Sequence, residues 1–416
     1  MGWFLPSEEE KMTRSRINRR QFVRTAAGAG AALAGVAALG KPRKAVAANE
    51  KILMGIIGSG GRGCAIMRTC GRLDPAVEFV AVCDVYEPRR AAGLKDAGGE
   101  AKMFVDHRAL LEMKEIDAVI IATPEHLHAP HLIDAVAAGK DVYLEKPMSH
   151  SIEEGVEMVE AVRKTDRIVQ IGMQRRSAPM CIEAKKLVDS GVLGEVNLVR
   201  AQWFWHQTPL NRNAKFEGAF DWERFLGPAP KRPVEPVRAL KWRYFWDYAG
   251  GIVTDQGTHL MDVVQWFMGR GTPRSAVMQG GSYRLGHETP DVFSASYEYD
   301  GFTASWMCTY NNSYENGWKI LFHGSEGTLV IDDTGYRIYA EPWKEKRNRE
   351  PTHVSKEGLP TLPHVKNWLE CLRTRTQPNA PVEVGHTAVA GPHLANVAFR
   401  NHTVARLNET CTEVTT

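Results

Sequence analysis

Five short apolar runs punctuate the chain between residues 51 and 172: Lys51–Ile57, Val77–Val82, Ile116–Ala122, Val142–Leu144 and Ile168–Gly172. Segments of helical period follow them, through Cys70, over Ala129–Ala138 and over Glu153–Lys164. Continuous apolar strands alternating with helices indicate a parallel sheet buried on both faces. Beyond Gly191, which stops a helix over Cys181–Ser190, the period changes. Val196–His206 alternates, and so do Val292–Tyr299, Phe302–Tyr310, Lys319–His323 and Thr328–Ile331, with a turn at Gly324–Gly327. Those strands predict one large, mostly antiparallel, open-faced sheet, whose uncovered face would meet a second copy of the chain. Leu260, Val263, Val264 and Phe267 give a helical stripe ending at Gly269, and closing helices are expected over Leu362–Arg373 and His386–Arg400. The expected class is therefore α/β with an α+β second domain. Its parts are an N-terminal segment over 1–48, a first domain over 49–172, a second domain over 173–400 and a tail over 401–416.

The first fifty residues stand outside that pattern. Asn18-Arg19-Arg20-Gln21-Phe22-Val23 is a twin-arginine motif, and Ala26–Leu39 is a weakly apolar Ala/Gly stretch too short to span a bilayer. Ala45-Val46-Ala47 follows as a small-residue cleavage site. The expectation is a Tat export signal, a periplasmic or extracytoplasmic location, and no membrane insertion once the signal is removed. Of 52 Lys/Arg and 49 Asp/Glu, nine and three fall before residue 48, so the remainder carries a small negative charge. The basic balance belongs to the leader, and no nucleic-acid partner is expected. Seven scattered cysteines show no metal-ligand spacing and, being odd in number, no disulfide framework.

The first strand runs into Gly58-Ser59-Gly60-Gly61-Arg62-Gly63 and then a helix, which is the dinucleotide fingerprint in its required context. Gly58 permits the turn, Gly60 lets backbone approach a pyrophosphate, and Gly63 lets helix pack on strand. The second strand ends at Cys83-Asp84, where a carboxylate suits a ribose 2′-OH and favours NAD; Arg89 and Arg90 nearby leave NADP open. Val142-Tyr143-Leu144-Glu145-Lys146-Pro147 puts a lysine at a strand's carboxyl end, on the crevice side of such a sheet. His126, His128 and His131 do not make a metal site, because no carboxylate or thiol completes the set; one of them near the nicotinamide is expected.

In order and spacing, Gly58–Gly63, Ala122-Thr123-Pro124 with His128, Ala138-Gly139-Lys140 and Glu145-Lys146-Pro147 resemble the glucose–fructose oxidoreductase, inositol dehydrogenase and rhizopine-catabolism (Gfo/Idh/MocA) family. The resemblance implies a Rossmann domain followed by an open-faced sheet domain. It implies Lys146 as the catalytic lysine, Glu145 as a cofactor-side neighbour, and Thr123, Pro124 and His128 lining the nicotinamide.

In the second half, Asp255 and His259 stand at i, i+4 near a helix start, a spacing that lets a carboxylate orient an imidazole for acid/base work. Gln174 and Arg176 leave the last strand of the first domain toward the crevice, and are expected to touch substrate or cofactor. Trp205 and His206, and Trp242 in the cluster Lys241–Trp246, offer aromatic and polar faces to a sugar ring. The expected activity is hydride transfer between a sugar or polyol carbon and a nicotinamide cofactor, with Lys146 and His259 handling the proton and Asp255 orienting His259. Export implies a tightly bound NAD regenerated in place. Two rivals remain: redox-neutral cleavage of a glycoside by transient oxidation and elimination, and a non-catalytic sugar-binding protein.

Overall fold

The computed structural model describes residues 50–408 and 412–416. The twin-arginine motif, its cleavage site and Cys411 lie outside them. All five expected strands form, and a sixth joins them at an edge. They are β1 (Ile52–Ile57), β2 (Val77–Cys83), β3 (Lys102–Phe104), β4 (Ala118–Ile121), β5 (Asp141–Leu144) and β6 (Val169–Ile171). The short β3 is only three residues long and largely exposed, so the brief apolar run Met103-Phe104-Val105 did not reveal it. The parallel order is β3-β2-β1-β4-β5-β6. That is the doubly wound order in which ligands bind at the switch between β1 and β4. β4 and β5 are buried throughout because helices cover both faces of the sheet.

The second sheet has ten strands: β7 (Val196–His206), β8 (Ser275–Gly281), β9 (Val292–Glu298), β10 (Thr303–Thr309), β11 (Asn311–Gly324), β12 (Gly327–Asp332), β13 (Gly335–Ala340), β14 (His353–Ser355), β15 (Ala405–Leu407) and β16 (Val414–Thr415). Their order is β14-β13-β12-β11-β7-β10-β9-β8-β15-β16, and the β7–β10 pair is parallel among antiparallel neighbours. Alternation sends Val199, Ala201, Ala304, Trp306, Ile320 and Phe322 to one face. There they pack on Val253, Leu260, Val264 and Phe267 of helix Gly251–Met268 and on Leu394 and Ala398 of helix Val382–Asn401. Of the tail, β15 and β16 extend the sheet edge.

One helix of the expected second domain closes the first. Val365, Trp368, Leu369 and Leu372 of helix Leu362–Thr374 share a buried cluster with Ile52, Met54 and Ile56 of β1. Each large side chain so buried contributes about 1.5–3 kcal/mol, and Arg375, just past the helix, ion-pairs with the buried Asp141 of β5 at 2.6 Å. The first core is therefore completed from far along the chain. The six described cysteines are free and buried, and no described helix is long and apolar enough to cross a membrane.

Candidate active site

Two backbone constraints shape the loop after β1. Gly58 sits at φ +90°, and a Cβ on Gly63 would lie 2.2 Å from the Gly58 carbonyl oxygen. The helix starting at Gly61 thus approaches the strand closely and aims its free N–H groups at the loop. A Cβ on Gly60 would meet nothing nearer than Arg89 at 3.9 Å, so that side of the loop is open to a ligand. Asp84 accepts from the amides of Ser59 (3.0 Å) and Tyr86 (2.9 Å). Burial raises its pKa, and Arg89 and those amides oppose the rise. A cavity of about 720 Å³ runs along this loop, lined by Gly58, Gly60, Arg62, Asp84, Arg89, Thr123 and Pro124. The residues present fit a dinucleotide: a glycine cradle, a helix N-terminus and an acid at the end of β2.

Ser59 shapes the loop and does not line the cavity. Its amide is spent on Asp84 and its hydroxyl donates to the Arg89 carbonyl at 2.9 Å. Glu145 acts through a neighbour, accepting from Arg62 Nε at 2.8 Å. The cavity's outer wall comes from residues 216–243 of the second half. Phe220, Phe225 and Trp242 line it, and Phe216 and Phe220 pack on Tyr86 with ring centroids 5.8 and 5.6 Å away.

At the carboxyl end of β5 the two halves meet. Lys146 Nζ donates to both the carbonyl oxygen (2.8 Å) and Oδ1 (2.7 Å) of Asp255, 109 residues away. An ammonium has three donors, so one remains for a ligand. Arg243 Nε donates to the same Oδ1 at 3.2 Å. Burial would raise the Asp255 carboxyl, but Lys146 and Arg243 hold it well below the usual carboxylate range. Glu125 latches this helix in place: its Oε2 accepts from the Gly250 amide and from Thr254 Oγ1, each at 3.2 Å. Gly251 enters the helix at φ +71°, where a Cβ would lie 2.4 Å from Thr289. The paired glycines are therefore a fitting requirement of this corner. Beside it lies a cavity of about 220 Å³ lined by Gln207, Arg243, Tyr244, Ile252, Asp255, Gln256 and Tyr310.

Several expectations need correction. Asp255 is bonded to Lys146 and Arg243, so it does not orient His259. The His259 imidazole is buried, and burial first, then Lys146, lowers its pKa well below the ordinary value. His128 does not line the cofactor cavity. It is buried, with Nδ1 2.7 Å from the Pro147 carbonyl and Nε2 2.9 Å from the Thr123 carbonyl; burial pushes its pKa down to about 4. A neutral ring donates to one of these carbonyls at a time, and it pins the Thr123 turn beside Lys146. His131 lines the cavity in its stead, with Nδ1 3.2 Å from Thr123 Oγ1.

Arg176 belongs to neither cavity lining; its Nε donates to the buried Asp262 carboxylate at 2.6 Å. Trp205 and His206 are exposed at the end of β7 and belong to neither cavity lining. Trp242 faces the cofactor cavity, with the Arg243 guanidinium 4.3 Å from its ring centre. Gln174 keeps a buried Oε1 with no hydrogen-bond partner and belongs to neither cavity lining. The residues overlooked are Gln207, Arg243, Tyr244, Gln256, Tyr310 and Glu125. Gln256 and Arg243 lie inside motifs already singled out, whereas nothing local distinguishes Tyr310.

Comparison with known proteins agrees with this geometry. Residues 52–173 match the oxidoreductase family with an NAD-binding Rossmann fold (GFO_IDH_MocA), and residues 181–330 match the GFO/IDH/MocA C-terminal domain. An inositol 2-dehydrogenase of Rubrobacter xylanophilus is 30% identical over 305 residues, covering 69% of this chain and 82% of that protein. A levoglucosan dehydrogenase of Pseudarthrobacter phenanthrenivorans is 26% identical over 355 residues, covering 76% and 84%. Among solved structures, levoglucosan dehydrogenase in complex with NADH and levoglucosan superposes with a TM-score of 0.69 at 18% identity, covering 86% of this chain and 99% of that one. The WlbA dehydrogenase from Bordetella pertussis, in complex with NADH and UDP-GlcNAcA, gives 0.68 at 22% identity, covering 86% and 98%.

Proposed function

The chain belongs to the Gfo/Idh/MocA oxidoreductase family, and from that premise we propose that it moves a hydride between a sugar or polyol hydroxyl carbon and NAD. The supporting observation is the Lys146–Asp255 pair, which joins a lysine at the end of β5 in the NAD-binding domain to a helix bordering the smaller cavity. NAD supplies the hydride acceptor. Lys146, anchored through two of its N–H groups, presents its third position to the hydroxyl: as the neutral amine it accepts the hydroxyl proton during oxidation, and as the ammonium it returns that proton during reduction. His259, kept neutral by burial, is the second group able to accept it. The names of the relatives, dehydrogenases of inositol and levoglucosan, support a sugar or polyol substrate.

Two further readings belong to the same proposal. The twin-arginine leader exports the folded protein, and the dinucleotide travels with it, held under the aromatic wall of residues 216–243. The uncovered face of the ten-stranded sheet, with Leu198 and Val277 exposed, seats a second copy of the chain. Mass spectrometry of the purified mature protein should find retained NAD(H). Incubation with sugars and glycosides should then give oxidised sugar and NADH. Hydrolysed glycoside without net oxidation would replace this reading with redox-neutral cleavage, and no product with NAD bound would leave a binding protein.

A further inference from the structure

Arg243 is placed as few arginines are. It lines both cavities, standing where the cofactor cavity meets the smaller one. Its Nε is committed to Asp255 and its plane lies over Trp242, which fixes the side chain from two sides. Among the described residues its two Nη groups have no hydrogen-bond partner, and 43% of the side chain is open to the cleft. A guanidinium held by its root with a free planar fork is the geometry that takes a carboxylate bidentately.

The charges around it point the same way. Lys146 and Arg243 share the one Asp255 carboxylate. The next carboxyl, Glu125, is buried, and burial and then Asp255 push its pKa up to about 8, so at neutral pH it is mostly protonated. His259 is neutral. The cluster therefore carries one positive charge that no described side chain offsets, beside a cavity of about 220 Å³. That space is below the roughly 300–1,000 Å³ of drug-sized sites and suits a single ring. Tyr244 and Gln207, joined by a 2.9 Å hydrogen bond, and Gln256 supply groups for ring hydroxyls.

We propose that the substrate is an anionic sugar of the uronate class, whose carboxylate is held by the Nη fork of Arg243 while a ring hydroxyl meets Lys146. This rests on the sugar-oxidising reading above and narrows it. The same fork can take a phosphate bidentately, but a sugar phosphate is the bulkier ligand for a cavity of about 220 Å³.

The test uses the NAD-loaded protein with matched pairs: glucuronate and glucose, galacturonate and galactose, mannuronate and mannose, with glucose 6-phosphate as a further arm. In at least one pair the uronate should exceed its neutral partner in kcat/KM by roughly 10–100-fold, the size of a charge-assisted pair. Arg243→Gln should pull that ratio toward one, mainly through KM, and Arg243→Lys should restore part of it while both variants keep NAD. Equal use of both members of every pair, a preference for the phosphate, or an unchanged ratio in Arg243→Gln would overturn the assignment. So would a loss of NAD in place of the ratio, since the fork would then serve the cofactor. If no sugar is oxidised, the activity reading fails; calorimetric binding of the same uronates to the NAD-loaded protein then decides the anion site alone.

Discussion

The two walls of the crevice are built on different principles. The cofactor cradle is local, although Phe220, Phe225 and Trp242 close the cavity from outside: β1, six loop residues and the next helix supply it, and Asp84 arrives after one more strand. The substrate wall is assembled from residues 207–256 and Tyr310, with Lys146 bonded to it through Asp255 across the packing of the parallel and antiparallel sheets. A wall set by backbone shape should fail by losing its shape. A wall set by convergent charges should fail by leaving a charge unpaired.

The largest expected effects therefore lie on the charged side. Lys146→Met should retain NAD and lose turnover by roughly 10²–10⁴-fold, the worth of one acid/base group. Asp255→Asn should be at least as damaging and should also destabilise the fold. It leaves Lys146 and Arg243 without their carboxylate, and breaking such a buried pair costs about 3–5 kcal/mol. His259→Ala should be the mildest of the three, since no described carboxylate depends on it. Steady-state rates with thermal melts check this ranking. An Asp255→Asn variant that melts like wild type and turns over faster than His259→Ala would reverse the assignment of partners.

On the local side the contrast is between two glycines three residues apart. Gly63→Ala forces a Cβ against the Gly58 carbonyl and should abolish NAD binding together with a loss of stability. Gly60→Ala has room, and should leave the melt within about 0.5 kcal/mol while weakening NAD. Equal melts for the two would mean that helix and strand do not approach as described. Asp84→Asn comes next. The amide keeps an acceptor for only one of the two loop N–H groups, which bond different carboxylate oxygens, and loses the charge, so NAD affinity should fall at least about tenfold relative to NADP, read by titration of cofactor-free protein.

This contrast also explains what the chain disclosed before folding. The parallel strands and the glycine loop were legible because each follows from a short run with its own periodicity or φ requirement. Lys146 and Asp255 were legible as types in motifs, but their pairing was not. The i, i+4 spacing matched Asp255 with His259, whereas packing supplied a stronger cation from another domain. His128 was misread for the same reason: a histidine in a loop motif signals a ligand contact, and burial against two carbonyls is invisible in sequence. Trp205 shows the opposite error, an aromatic flanked by polar groups that the strand carries past the cavity. Helix Leu362–Thr374 could be foreseen as a helix, yet not as part of the first core.

The smallest expected effect on turnover is also where the two walls join. Glu125 belongs to the first domain's loop and holds the start of the second domain's helix, with Oε1 buried and unpartnered. Its folded pKa of about 8 lies above its ordinary value of 4.5 because burial, and then Asp255, disfavour the charged form. Between those two values the folded protein keeps a proton that the unfolded chain has released, so stability falls as pH rises through that interval and levels off above it. Glu125→Gln keeps an acceptor for the Gly250 amide and Thr254 hydroxyl but cannot ionise. Its melting temperature should therefore gain on wild type steadily from about pH 5 to pH 8 and no further, while turnover at pH 7 changes only severalfold. Parallel melting curves across that range would show that Glu125 is already ionised in the fold. The cluster at Lys146 would then be neutral overall, and the charge argument for an anionic substrate would lose its electrostatic half and keep only the open fork of Arg243.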